Sequence, residues 1–124
     1  MSTINGYRDL EVWKKSMDLV VLVYDLMKYL PTEEKYSLCD QIKRAVNSVP
    51  SNIAEGNGRG SLKEYIKFLN IARGSKYEVE TQLLICVRLD YLTDSQIKPA
   101  MQLSDEIGRM LNALINSLTA KIDG

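Results

Sequence analysis

The chain has 124 residues, 45% of them apolar, and its 16 Lys plus Arg are balanced by 16 Asp plus Glu. That length and apolar share suffice for one core and argue against a second, so residues 1–124 read as a single domain. The charges balance again within residues 1–60 and within residues 61–124, and there is no histidine. A basic arm, an acidic tail, a Ser/His or Cys/His nucleophile pair and the commonest transition-metal ligand are thereby excluded.

The N-terminal stretch MSTINGYRDLEVW carries no apolar run, and LVVLVYDLM is about half the roughly 20 residues that cross a bilayer. The expectation is a cytoplasmic protein with no membrane partner. From Leu10 to Leu30, Leu10, Trp13, Met17, Val20, Val21, Tyr24 and Met27 keep the spacing of one helix face, and Val12, Leu19, Val23, Leu26 and Leu30 mark a neighbouring one. A helix so apolar is either central or shared with another subunit. Pro31 ends it, and Thr32 with Glu33 and Glu34 supplies a cap and first-turn acids for the next helix.

Leu38, Ile42, Ala45, Val46, Val49 and Ile53 hold one phase straight across Pro50. A loop would lose that register, so residues 34–57 read as one helix kinked at Pro50, with the Val46 carbonyl freed. Gly56, Gly58 and Gly60 supply a C-cap and turn, and Ser61-x-x-Glu64 reads as a capping box opening the third helix. The glycines do not make a phosphate-binding P-loop, because no Gly-Lys-Ser/Thr follows and no strand precedes. In the third helix Leu62, Tyr65, Ile66, Leu69, Ala72, Val79, Leu83, Cys86 and Val87 are in phase. Gly74 lies among small residues there and predicts close approach of a neighbouring helix. A fourth stripe runs from Ile97 to Ile122, with Pro99 fitting only near that helix's start.

Helices over roughly 9–30, 34–57, 62–90 and 96–122, joined by short turns, give an all-α, antiparallel up-down-up-down four-helix bundle. Cys39 and Cys86 fall within apolar stripes and read as buried free thiols. Glu78 and Glu80 point to different faces, so neither an acid/base pair nor a metal cluster emerges. The chain reads as a non-enzyme with no metal and no cofactor. Around Pro50, the polar set Arg44, Asn47, Ser48, Ser51, Asn52 and Glu55 reads either as a hydrogen-bond network, with Glu55 paired to Arg44, Arg59 or Arg73, or as a ligand site. Among the basic residues Lys43, Arg44, Arg59, Lys63, Lys67, Arg73 and Lys76, the one-turn spacing of Lys63 and Lys67 after Arg59 predicts a positive ridge for nucleic acid.

The segments RDLEVWKKSMDLV, QIKRAVNSVPSNIAEGNGRGSLKEYIKFLNIARGSKYEVETQL and LDYL resemble the proteins encoded in intervening sequences of bacterial 23S ribosomal RNA genes. The run from Pro50 to Gly60 is the most specific part, with Asn52, Glu55 and Gly56 inside it. The resemblance implies a four-helix bundle of unknown function, assembled as a homopentameric ring and without enzymatic activity. A ring accounts for the first and third helices being apolar on more than one face. The fold is also similar to the accessory variability determinant protein of diversity-generating retroelements. That likeness implies a basic surface meeting nucleic acid and a protein partner, a reverse transcriptase, with Arg44, Arg59, Lys63 and Arg73 in that part.

Overall fold

The computed structural model describes residues 6–124; the extension of the domain over residues 1–5 lies outside the described residues. Four helices build it, α1 (Glu11–Leu26), α2 (Leu38–Asn57), α3 (Leu62–Arg88) and α4 (Asp94–Asp123), and no strand occurs among the described residues. Each packs on its sequence neighbours and α4 closes on α1, which leaves α1 diagonal to α3. Cross-helix contacts fix the direction. Gly6 lies by Asn57 and Tyr24 by Asn47, Ser48 by Ser75 and Gly56 by Phe68, Arg73 by Asn112 and Glu80 by Ser104, and Lys15 by Glu106 with Asp25 and Tyr29 beside Gln96, so every neighbouring pair runs antiparallel.

On α1 the core takes the stripe of Val12, Leu19, Val23 and Leu26, whereas Met17, Val21 and Tyr24 of the other stripe remain exposed. The helix ends earlier than its periodicity predicts, since Met27–Tyr29 tightens into a 3-10 turn before Leu30 and Pro31. Thr32 does not cap α2. Residues Thr32–Glu34 form a separate 3-10 turn and α2 begins at Leu38. Glu34 is held instead by Ser37 Oγ at 2.6 Å and by Tyr91 Oη at 2.8 Å, which ties this connection to the turn before α4. Those two hydrogen bonds, Ser37 first, lower the Glu34 carboxyl below its ordinary range.

α2 runs as one helix through Pro50 and buries Cys39, Ile42, Ala45, Val46, Val49 and Ile53. Ser61 Oγ accepts from the Glu64 N–H at 3.3 Å, one half of the expected box. α3 ends in a Schellman turn: Tyr91 N–H donates to the Cys86 carbonyl at 2.9 Å and Asp90 N–H to that of Val87 at 3.0 Å, with Asp90 at a φ of 63°. α4 starts at Asp94, two residues before its expected start, because Thr93 and Gln96 form a reciprocal capping box at 2.9 and 3.1 Å. Pro99 therefore sits inside the helix, beyond its first turn, where its ring faces solvent.

Two glycines depart from the roles their positions suggest. Gly74 is exposed, and a side chain there would meet nothing within 4 Å, so no neighbouring helix approaches it within the chain. The close approach is at Gly56, still inside α2, where an added Cβ would lie 2.8 Å from Phe68 Cβ and 3.2 Å from the Tyr65 carbonyl oxygen. Its lack of a side chain lets α2 and α3 converge at that end of the bundle.

Candidate functional site

The turn between α2 and α3 gathers a mix of basic and aromatic side chains. Arg59 Nε pairs with Glu55 Oε2 at 3.0 Å, and its guanidinium carbon lies 4.9 Å from the centre of the Phe68 ring. Lys67 Nζ sits 5.9 Å from the same ring. Lys63 is exposed one turn before it on the same helix and has no ion-pair partner among the described residues. Beside them Asn57 Nδ2 donates to Tyr65 Oη at 3.2 Å. Phe68, Tyr65 and Asn57 complete a cluster that charge spacing alone misses. The signal was the aromatic residue directly after Lys67.

The cavity at this turn, lined by Gly56, Asn57, Ser61 and Tyr65 among others, measures about 200 Å³. That is below the roughly 300 Å³ at which small-molecule pockets begin. The cluster forms an open surface and does not enclose a small ligand.

The other basic residues do not join one ridge. Lys43 lies 14 residues before Asn57 on α2, about 20 Å along the helix axis. Its Nζ rests 5.1 Å from the Tyr24 ring centre, and Arg44 pairs with Asp40 at 3.4 Å. Arg73 reaches across to α4, donating to Asn112 Oδ1 at 2.7 Å and to Asn70 Oδ1 at 2.6 Å. Both acceptors are neutral, so its charge is left uncompensated there. Lys76 is not a ridge residue: it is 3% exposed, and its Nζ lies 2.6 Å from Glu80 Oε2 between α3 and α4. Ser104 Oγ donates to the same oxygen at 2.5 Å. Gly108 makes the room, since a Cβ there would fall 3.0 Å from Lys76 Cε. Lys76 continues the stripe of Ala72, Val79 and Leu83, and that phase buries it.

The polar residues around Pro50 form a hydrogen-bonded seam. Asn52 Nδ2 donates to the carbonyl and hydroxyl oxygens of Ser48, both at 2.8 Å, and Ser48 Oγ meets Ser75 Oγ at 2.8 Å. Asn47 Nδ2 donates to Tyr24 Oη at 2.8 Å. Of the arginines considered for Glu55, it is Arg59 that pairs. The two thiols are free and buried. Burial pushes the Cys86 thiol up to about 11 and raises that of Cys39, so neither is poised as a thiolate. Among the described residues no group of three or more His, Cys, Asp or Glu is placed to hold a metal ion, and no helix is long and apolar enough to cross a membrane.

A second surface is apolar. On α1, Met17 (41% exposed), Val21 (68%) and Tyr24 (39%) face outward beside half-buried Trp13 and Val20. On α3, Ile71, Tyr77, Leu84 and Ile85, with Leu89 just past its end, are exposed on the side away from the core.

No match is found among curated proteins. A solved structure of a protein of unknown function from the S23 ribosomal protein family, from Bacteroides thetaiotaomicron, is similar at 32% identity and a TM-score of 0.77. The likeness covers 84% of this chain and 97% of that one. The profile of the 23S rRNA-intervening sequence proteins matches residues 8–113. Residues 8–113 span all of α1, α2 and α3 and most of α4, and the chain accordingly belongs to the 23S rRNA-intervening sequence protein family.

Proposed function

We propose that the chain is a non-enzymatic scaffold or assembly protein that works as a homo-oligomeric ring, with five subunits as the expected number. The observation that carries this reading is the outward apolar surface of α1 and α3. Met17, Val21 and Tyr24 lie on one helix and Ile71, Leu84 and Ile85 on its diagonal opposite. Apolar faces of this kind on a soluble domain mark interaction surfaces. Different patches on opposite sides favour a head-to-tail contact, which closes into a ring when the rotation allows. Size-exclusion chromatography with light scattering, on protein freed of nucleic acid, is expected to give a mass near five chains of 14.1 kDa. A single-chain mass at micromolar concentration overturns the assembly.

A second reading rests on the stacking of Arg59 over Phe68 beside Lys63 and Lys67. Cations next to an aromatic face suit single-stranded RNA, whose phosphates and bases they meet together. In a ring the cluster would recur in every subunit and gain avidity. Affinity for a short single-stranded RNA is expected to fall steeply with salt and to vanish with Lys63→Glu plus Lys67→Glu. Binding indifferent to both removes this reading.

A further inference from the structure

The corner where α1 passes into α2 holds a cavity of about 390 Å³, well apart from the α2–α3 turn. That volume is within the range of about 300–1,000 Å³ typical of small-molecule sites. Its floor is apolar and buried, made by Met27, Leu30 and Cys39. Three lysines, Lys28, Lys35 and Lys43, line it together with Thr32 and the Tyr24 ring. They come from three different segments: the 3-10 turn after α1, the connection, and the second turn of α2.

No carboxylate lines the cavity. Lys28 pairs with Asp25 at 3.1 Å, but Lys35 and Lys43 have no ion-pair partner among the described residues. Their ammonium groups rest instead 5.4 Å from the Tyr36 ring centre and 5.1 Å from that of Tyr24. Of the carboxylates close by in sequence, Asp40 pairs with Arg44, Glu34 accepts from the Ser37 and Tyr91 hydroxyls, and Glu33 is exposed. Two lysines without an ion pair over an apolar floor, with a tyrosine ring at the side, ask for a ligand that is anionic at one end and flat and apolar at the other.

We propose that this corner is a binding site for a mononucleotide, its phosphate held by Lys35 and Lys43 with the Thr32 hydroxyl, its base lying on the apolar floor beside Tyr24. The same chemistry is presented by a free nucleotide and by the 5′-terminal nucleotide of an RNA strand. Lys43 was among the basic residues that charge alone singled out. Lys28 and Lys35 were not, because only the 3-10 turns of the connection bring them to it.

The test is isothermal titration calorimetry of the full chain with AMP, adenosine and inorganic phosphate. AMP is expected to bind at least about tenfold more tightly than either part alone. The Lys35→Glu plus Lys43→Glu variant, and the milder Lys35→Gln plus Lys43→Gln, are expected to lose that binding while Arg59→Glu retains it. AMP should also slow alkylation of Cys39 on the cavity floor. Equal binding of AMP and adenosine, or AMP binding unchanged in both lysine variants of intact circular dichroism, overturns the proposal. Short RNAs with and without a 5′-phosphate distinguish the sources. Competition with AMP by the phosphorylated strand alone assigns the site to an RNA end, and no competition by either assigns it to the free nucleotide.

Discussion

Gly56 is the residue at which the packing tolerates least. A β-carbon there would stand 2.8 Å from Phe68 Cβ, which is the root of a side chain and not its flexible tip, so α2 and α3 would have to part. Gly56→Ala is expected to destabilise the protein by about 1–3 kcal/mol, read from urea or thermal unfolding, against the stabilisation that Gly→Ala ordinarily brings within a helix. An unchanged or raised stability would mean that the seam relaxes freely. The sequence offered a plausible role for this glycine, a helix C-cap, and that reading hid the packing role. Whether a glycine is tolerated or required depends on what stands opposite, and Phe68 is 12 positions away in the chain. Gly74, with Ala72 and Ser75 near it in the chain, carried the better local signal for close approach and faces open space.

At the scale of the elements, the four apolar stripes placed all four helices, and their errors lie at the ends. Starts and stops depend on hydrogen bonds between particular side chains, such as the Thr93–Gln96 box and the Glu34–Tyr91 contact, to which hydrophobic periodicity is blind. The α3–α4 seam shows a different gap. Lys76 was read with the basic ridge although it continues a core stripe, and its partners Glu80 and Ser104 and the space left by Gly108 emerge only when the two helices meet. Replacing Lys76 alone by Met strands the Glu80 carboxylate beside Ser104 and is expected to cost about 3–5 kcal/mol. Pairing Lys76→Met with Glu80→Gln should recover most of that loss in the same unfolding assay. If the single and double variants are equally unstable, the ion pair is not what the seam depends on.

For the whole molecule, helix count and arrangement follow from the sequence because each stripe must be buried and short connections leave few ways to do it. What periodicity could not decide is which of the two α1 stripes the core takes. The choice fell to Val12, Leu19, Val23 and Leu26, leaving Val21 outward. The candidate sites were less legible still, because basic residues adjacent in sequence part company in space while Lys28, Lys35 and Lys43 converge. Val21→Glu gives the exposed stripe a direct trial. At 68% exposure it should change the stability of the single chain by no more than about 0.5 kcal/mol, yet reduce the mass seen by light scattering. Assembly that survives this change places the subunit contact elsewhere.

The antiparallel order of the bundle also bears on how quickly it forms. Contacts across the α2–α3 seam, such as Ser48 with Ser75, close a short loop of chain, whereas those of α1 with α4, such as Lys15 with Glu106, span most of the sequence. The entropy of closing the longer loop is the greater, so the α2–α3 hairpin is expected to dock first and α1 to lock against α4 last. Stopped-flow refolding should then slow markedly for Ser75→Ala. A truncation on α4, Ile107→Val, should leave the folding rate nearly unchanged and speed unfolding instead.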